Sequence, residues 1–67
     1  MNNLKKKRTE AGITQAQLAE ASNTNIRMIQ HYEQGFKDIN KAEAETVLRI
    51  ADALQCDIRD ILNKAGE

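Results

Sequence analysis

Thr14-Gln15-Ala16-Gln17-Leu18-Ala19-Glu20-Ala21-Ser22-Asn23-Thr24-Asn25-Ile26-Arg27-Met28-Ile29-Gln30-His31-Tyr32-Glu33-Gln34-Gly35 is the stretch whose reading decides the fold. The Thr14 hydroxyl can accept the Gln17 amide while the Gln17 side chain reaches back to Thr14, a capping box that opens a helix over 15–21 with Leu18 and Ala19 inward. Ser22 to Asn25 is a turn by composition. Within it, Asn23 is the non-glycine type that best tolerates the left-handed region, and Asn25 is a good N-cap. A second helix follows over 26–34, with Ile29 and Tyr32 on its inward face, and Gly35 ends it. Helices this short are unstable alone. Ala19 is small enough to let two of them cross closely.

Working outward, the rest of the chain is also helical. Strand signals are isolated, while Ala, Glu, Gln, Leu, Lys and Arg dominate. Residues 3–11 form a first helix closed by Gly12. Ala44, Val47, Leu48, Ala51 and Leu54 repeat at helical spacing, which predicts an amphipathic helix over 42–54. Asp57 with Asp60 caps a last helix over 58–63, with Ile58, Ile61 and Leu62 inward. Five short helices around one core, in one domain over 1–67, are expected.

Size and composition narrow the function classes. A chain of 67 residues buries only about 60% of the surface its unfolded state exposes, so a two-domain enzyme cannot fit. Nine of its apolar residues are alanines, and self-association is a natural source of extra stability for so small a core. The lone Cys56 cannot form an intramolecular disulfide and is expected to fill a gap between two helices. With no secretory segment expected, this points to a reducing cytoplasm. No apolar run approaches the roughly 18 residues of a membrane span. With one histidine and one cysteine there is no ligand set for zinc, and His31 has no neighbouring nucleophile or orienting carboxylate in sequence. No enzyme, cofactor or metal site is expected.

Charge is balanced overall but not along the chain. Residues 1–37 carry Lys5, Lys6, Lys7, Arg8, Arg27 and Lys37 against Glu10, Glu20 and Glu33, a net +3, and the remainder carries −3. That asymmetry suggests an anionic partner on the N-terminal side, the alternative being a solvated helix end. With Ile29 and Tyr32 inward, the 26–34 helix leaves Ile26, Arg27, Gln30 and His31 outward. Arginine gives two parallel hydrogen bonds to guanine, glutamine does so to adenine, and an apolar side chain packs on a thymine methyl. The alternative is an ordinary solvated face.

Thr14 to Glu20, with Ile29, Tyr32, Glu33 and Gly35 at these spacings, resembles the helix-turn-helix family of phage repressors and Cro proteins, which includes bacterial regulators of the xenobiotic-response-element type. The likeness runs over about residues 4–62. It implies a lambda-repressor-like all-α domain and a DNA-binding transcriptional regulator, most simply a repressor acting by occupancy as a homodimer. It further implies that Arg8 pairs with Glu33 and that Gln15, with Thr14 beside it at the helix N-terminus, contacts phosphate. The recognition positions fall on Asn25, Ile26, Arg27, Gln30 and His31, with Asn25 and Lys37 directed to the backbone rather than to bases.

This chain departs from the family pattern in four places. Asn23 replaces the usual turn glycine, and Ser22 and Thr24 replace apolar neighbours, so a less firmly packed turn is expected. Phe36 stands where a basic residue is common, and the loop from Phe36 to Ala42 is longer than usual. Phe36 either folds back under that loop, joins a partner surface or lies along the sugar–phosphate backbone, and Met28 has no assigned place. Ile50, Ile58 and Ile61 are candidates for a dimer surface in the C-terminal third. The competing reading is a protein-interaction module or antitoxin-like partner binder on the same fold, using Ile26, Met28 and Phe36.

Overall fold

The computed structural model describes residues 2–63; residue 1 and residues 64–67 of the expected domain lie outside that range. Among the described residues there are five α-helices, α1 (Asn3–Ala11), α2 (Gln15–Ala21), α3 (Ile26–Gln34), α4 (Ala44–Ala53) and α5 (Ile58–Ile61), with a 3-10 turn at Ile39–Lys41 and no strand. The helix boundaries follow local chemistry. Asn2 accepts the Lys5 amide at the head of α1. The Thr14/Gln17 capping box is present at α2, with both reciprocal bonds formed at 2.8 and 3.0 Å. Asn25 accepts the Arg27 amide at α3, and the Asp57/Asp60 box opens α5. Asn23 adopts φ 52°, and Gly35 at φ 84° turns the chain out of α3.

Leu4, Leu18, Ile29, Ile39, Ile50 and Ile61 are completely buried, and Ala19, Tyr32, Val47 and Ala51 complete the core. Burial of each large aliphatic side chain contributes about 1.5–3 kcal/mol. α2 and α3 pack on each other, α1 lies against α5 and α3, and α4 supports α2 and α5. Met28, Ile58, Leu62 and Cys56 are half-buried against this core. Burial pushes the Cys56 thiol above its ordinary pKa, with the charges of Asp60 and Asp57 adding to the effect and that of Lys7 opposing it.

Several expectations are corrected. The inward face of α4 is Val47, Ile50, Ala51 and Leu54, while Leu48 is 50% exposed and Ala44 is exposed. At 3.6 residues per turn Leu48 lies about 160° around the helix from Ile50, so the two cannot face one core. Ile50 and Ile61 are therefore core residues and are not free for a dimer surface. α4 and α5 are shorter than the spans 42–54 and 58–63. At the end of α5, Asn3 Nδ2 donates to the Leu62 carbonyl at 2.8 Å, and Asn40 exchanges two bonds with the Asn63 backbone at 2.7 and 2.8 Å, drawing the chain into an extended path.

The long loop is not loose. Asp38 caps the 3-10 turn and Ile39 plugs the core from it. Nor does Ser22 loosen the turn before α3: it is buried, and its hydroxyl donates to the Leu18 carbonyl at 2.7 Å. Arg49 Nε donates to the Ser22 carbonyl at 3.1 Å, fastening that turn to α4. Phe36 does not fold under the loop; it is 76% exposed.

Candidate nucleic-acid interface

The site is built around Glu33, late in α3 and with a side chain only 2% exposed. Arg8 of α1 meets it with two parallel hydrogen bonds, Nε to Oε2 at 2.7 Å and Nη2 to Oε1 at 3.1 Å, and spends Nη1 on the Ile13 carbonyl at 2.8 Å. The hydrogen bond to Glu33 holds the Arg8 guanidinium above its ordinary pKa, burial opposing and the Glu33 charge adding to the effect. Gln15, the first residue of α2, donates Nε2 to the same Oε1 at 3.1 Å. One carboxylate thus ties together α1, the N-terminus of α2 and α3. Asn2 adds to this. Its Nδ2 donates to the Glu33 carbonyl at 3.1 Å and to the Tyr32 carbonyl at 2.6 Å.

With Ile29 and Tyr32 anchored in the core and Glu33 spent internally, the remaining face of α3 is left outward. Ile26 is 38% exposed, Arg27 is exposed, and Gln30 and His31 are half-buried. Among the described residues none of these four side chains enters a hydrogen bond or ion pair. Asn25 is exposed, and its side-chain oxygen is occupied by the Arg27 amide at 2.7 Å. That leaves its Nδ2 protons free, since an amide side chain carries two donors beside its acceptor. Thr14 is exposed but uses its oxygen as the α2 cap. Gln15 is half-buried and keeps one N–H and its carbonyl after the bond to Glu33.

Lys37 is exposed just beyond α3, on a groove of about 400 Å3 that it shares with Met28, Tyr32, Lys41 and Glu43. Lys41 was not singled out in the sequence. The Asp38–Asn40 cap that folds the loop back and brings it beside Lys37 is visible there only as an isolated aspartate. Arg49 and Asn2 were missed for the same reason, as each acts on backbone carbonyls distant in the chain. Burial, and then the charge of Glu43, push the Tyr32 phenol above its usual pKa.

Among the described residues no group of three or more His, Cys, Asp or Glu side chains could hold a metal ion, and no helix is long and apolar enough to cross a membrane. No curated protein and no solved structure matches the chain. A family model does: the Helix-turn-helix family matches residues 4–61, from the start of the core at Leu4 to Ile61 at the end of α5. The chain belongs to the Helix-turn-helix family of the xenobiotic-response-element type, a family of DNA-binding regulatory domains.

Proposed function

We propose that this protein is a sequence-specific DNA-binding repressor, a single domain over 1–67 working in the cytoplasm as a homodimer. The observation that carries the reading is the outer face of α3. Arg27, Gln30 and His31 remain uncommitted there beside the exposed Ile26, while the inner face is fixed by Ile29, Tyr32 and the Arg8–Glu33 pair. In the major groove, Arg27 and Gln30 present the donor sets that suit guanine and adenine edges, and Ile26 suits a thymine methyl. Thr14 and Gln15 stand at the N-terminal end of α2, where backbone amides and the positive end of the helix dipole favour a phosphate. Asn25 and Lys37 contact the backbone on either side of the reading residues. Occupancy of the operator then blocks transcription.

A homodimer places two such helices on half-sites about 34 Å apart. Its interface is the one large apolar residue left over from α4, Leu48, together with the shallow groove of about 260 Å3 that it borders with Ala42, Val47, Ile58 and Leu62. The same patch on each subunit satisfies a two-fold contact.

Enrichment of a random duplex pool on the purified protein at two salt concentrations tests the reading. A palindromic motif that fades as salt rises is expected, because phosphate contacts release counterions. If no sequence is enriched at either salt, the DNA-reader assignment fails. The exposed Ile26 and Phe36 would then mark a protein-binding surface.

A further inference from the structure

Phe36 is the most exposed large apolar side chain among the described residues, yet it is not isolated. Its ring meets the His31 imidazole edge to face, with centroids 5.9 Å apart and planes at 74°. That distance and angle fall in the favoured range for aromatic pairs. The backbone fixes the pairing. Gly35 takes a left-handed conformation, φ 84°, and three successive amides converge on one acceptor: the N–H groups of Gly35, Phe36 (2.9 Å) and Lys37 (3.3 Å) all donate to the His31 carbonyl. The chain therefore folds back over the residue it has just left, and Phe36 lands against His31 because of the helix cap. At 76% exposed, Phe36 adds little to the core, so its value to the fold does not explain its place.

We propose that Phe36 is a positioning residue for base recognition: it holds the His31 imidazole in one orientation on the outer face of α3, so that His31 meets the base edge already ordered. This rests on the assignment of α3 as a DNA reader. A half-exposed histidine ring turns broadly about its last side-chain bond, and ordering it on binding costs free energy that a preorganised ring has already met. Removing the neighbouring ring is expected to lower discrimination at the base pair that His31 reads by about three- to tenfold, and to leave the other positions of the site unchanged.

The test compares the wild-type protein with Phe36→Ala, Phe36→Tyr and His31→Ala in the same random-duplex enrichment, with thermal melts to confirm that each variant folds. His31→Ala identifies the position that His31 reads. Phe36→Ala should flatten that position alone, and Phe36→Tyr should restore it. His31 is the chain's one histidine, so its ring protons give unambiguous NMR signals. Those signals should carry a ring-current shift in the wild-type protein and in Phe36→Tyr, and lose it in Phe36→Ala. The proposal is overturned if Phe36→Ala leaves the His31 position intact, if it weakens every position equally as loss of a backbone contact would, or if His31→Ala flattens no position. Failure of the wild-type protein to enrich any sequence would instead remove the DNA-reader assignment beneath it.

Discussion

Replacing Arg8 by methionine keeps most of the side-chain volume and removes the charge that Glu33 was folded against. The Glu33 side chain is 2% exposed and that of Arg8 14%, so water cannot take over the lost bonds without opening the structure. Three charge-assisted hydrogen bonds disappear, two to Glu33 at 2.7 and 3.1 Å and one to the Ile13 carbonyl at 2.8 Å, each contributing about 1.5–3 kcal/mol. Removing one partner of a buried pair costs about 3–5 kcal/mol. Gln15 still donates to Glu33 Oε1, which places Arg8→Met at the lower end, about 3 kcal/mol. A chain of 67 residues has about 3–10 kcal/mol in total, so the variant loses a large fraction of it.

Urea unfolding followed by helical circular dichroism reads this directly. With a slope of about 1 kcal/mol per molar for so small a domain, the midpoint should fall by about 3 M. Arg8→Met/Glu33→Leu, which removes both charges, should recover much of the loss, because an apolar pair no longer strands a carboxylate. A midpoint shift below about 1 M, or a double variant whose loss equals the sum of the two single ones, would show that the pair is not the closed, desolvated contact its geometry implies.

Arg27→Ala should cost about 1–3 kcal/mol of operator binding and relax one base position, whereas Gln15→Ala should weaken all sequences about equally; anisotropy titrations on matched and mismatched duplexes separate the two. Leu48→Glu should convert the proposed homodimer into a monomer in sedimentation equilibrium while leaving the helical signal unchanged, since Leu48 is half exposed and off the core face. Asp57 is held below the usual carboxylate range by its side-chain and backbone hydrogen bonds from Arg59. Its contribution is present above the unfolded-chain value of about 3.9 and is lost as pH falls through the lower folded value. Acid titration of stability should therefore show a drop below about pH 4 that is reduced in Asp57→Asn.

What the sequence made legible was local. Capping at Thr14, Asn25 and Asp57, the left-handed positions at Asn23 and Gly35, and the inward pair Ile29 and Tyr32 all follow from neighbours within about one helical turn, and the structure has them. The Arg8–Glu33 pair was reached only through resemblance, since nothing in a 25-residue separation announces it. Leu48 was misplaced because Val47 and Ala51 fit an inward face whether it tilts toward Leu48 or toward Ile50. Which tilt wins depends on what α2 and α5 present to α4, a tertiary matter. Ile39 was missed because its burial needs the 3-10 turn that Asp38 caps. Ser22 looked like a polar intruder until the Leu18 carbonyl supplied its partner.

Asn2 gives its oxygen to the head of α1 and its amide group to two carbonyls in the last turn of α3. Together with Arg8, it makes α1 and α3 a single piece whose two ends cannot slide past each other. In the role proposed for α3, such a helix has little freedom to follow local variation in groove width or twist. On the proposed homodimer, misfit is absorbed by the duplex, so sequences that bend or overwind easily between the two half-sites should be favoured at base pairs the protein never touches.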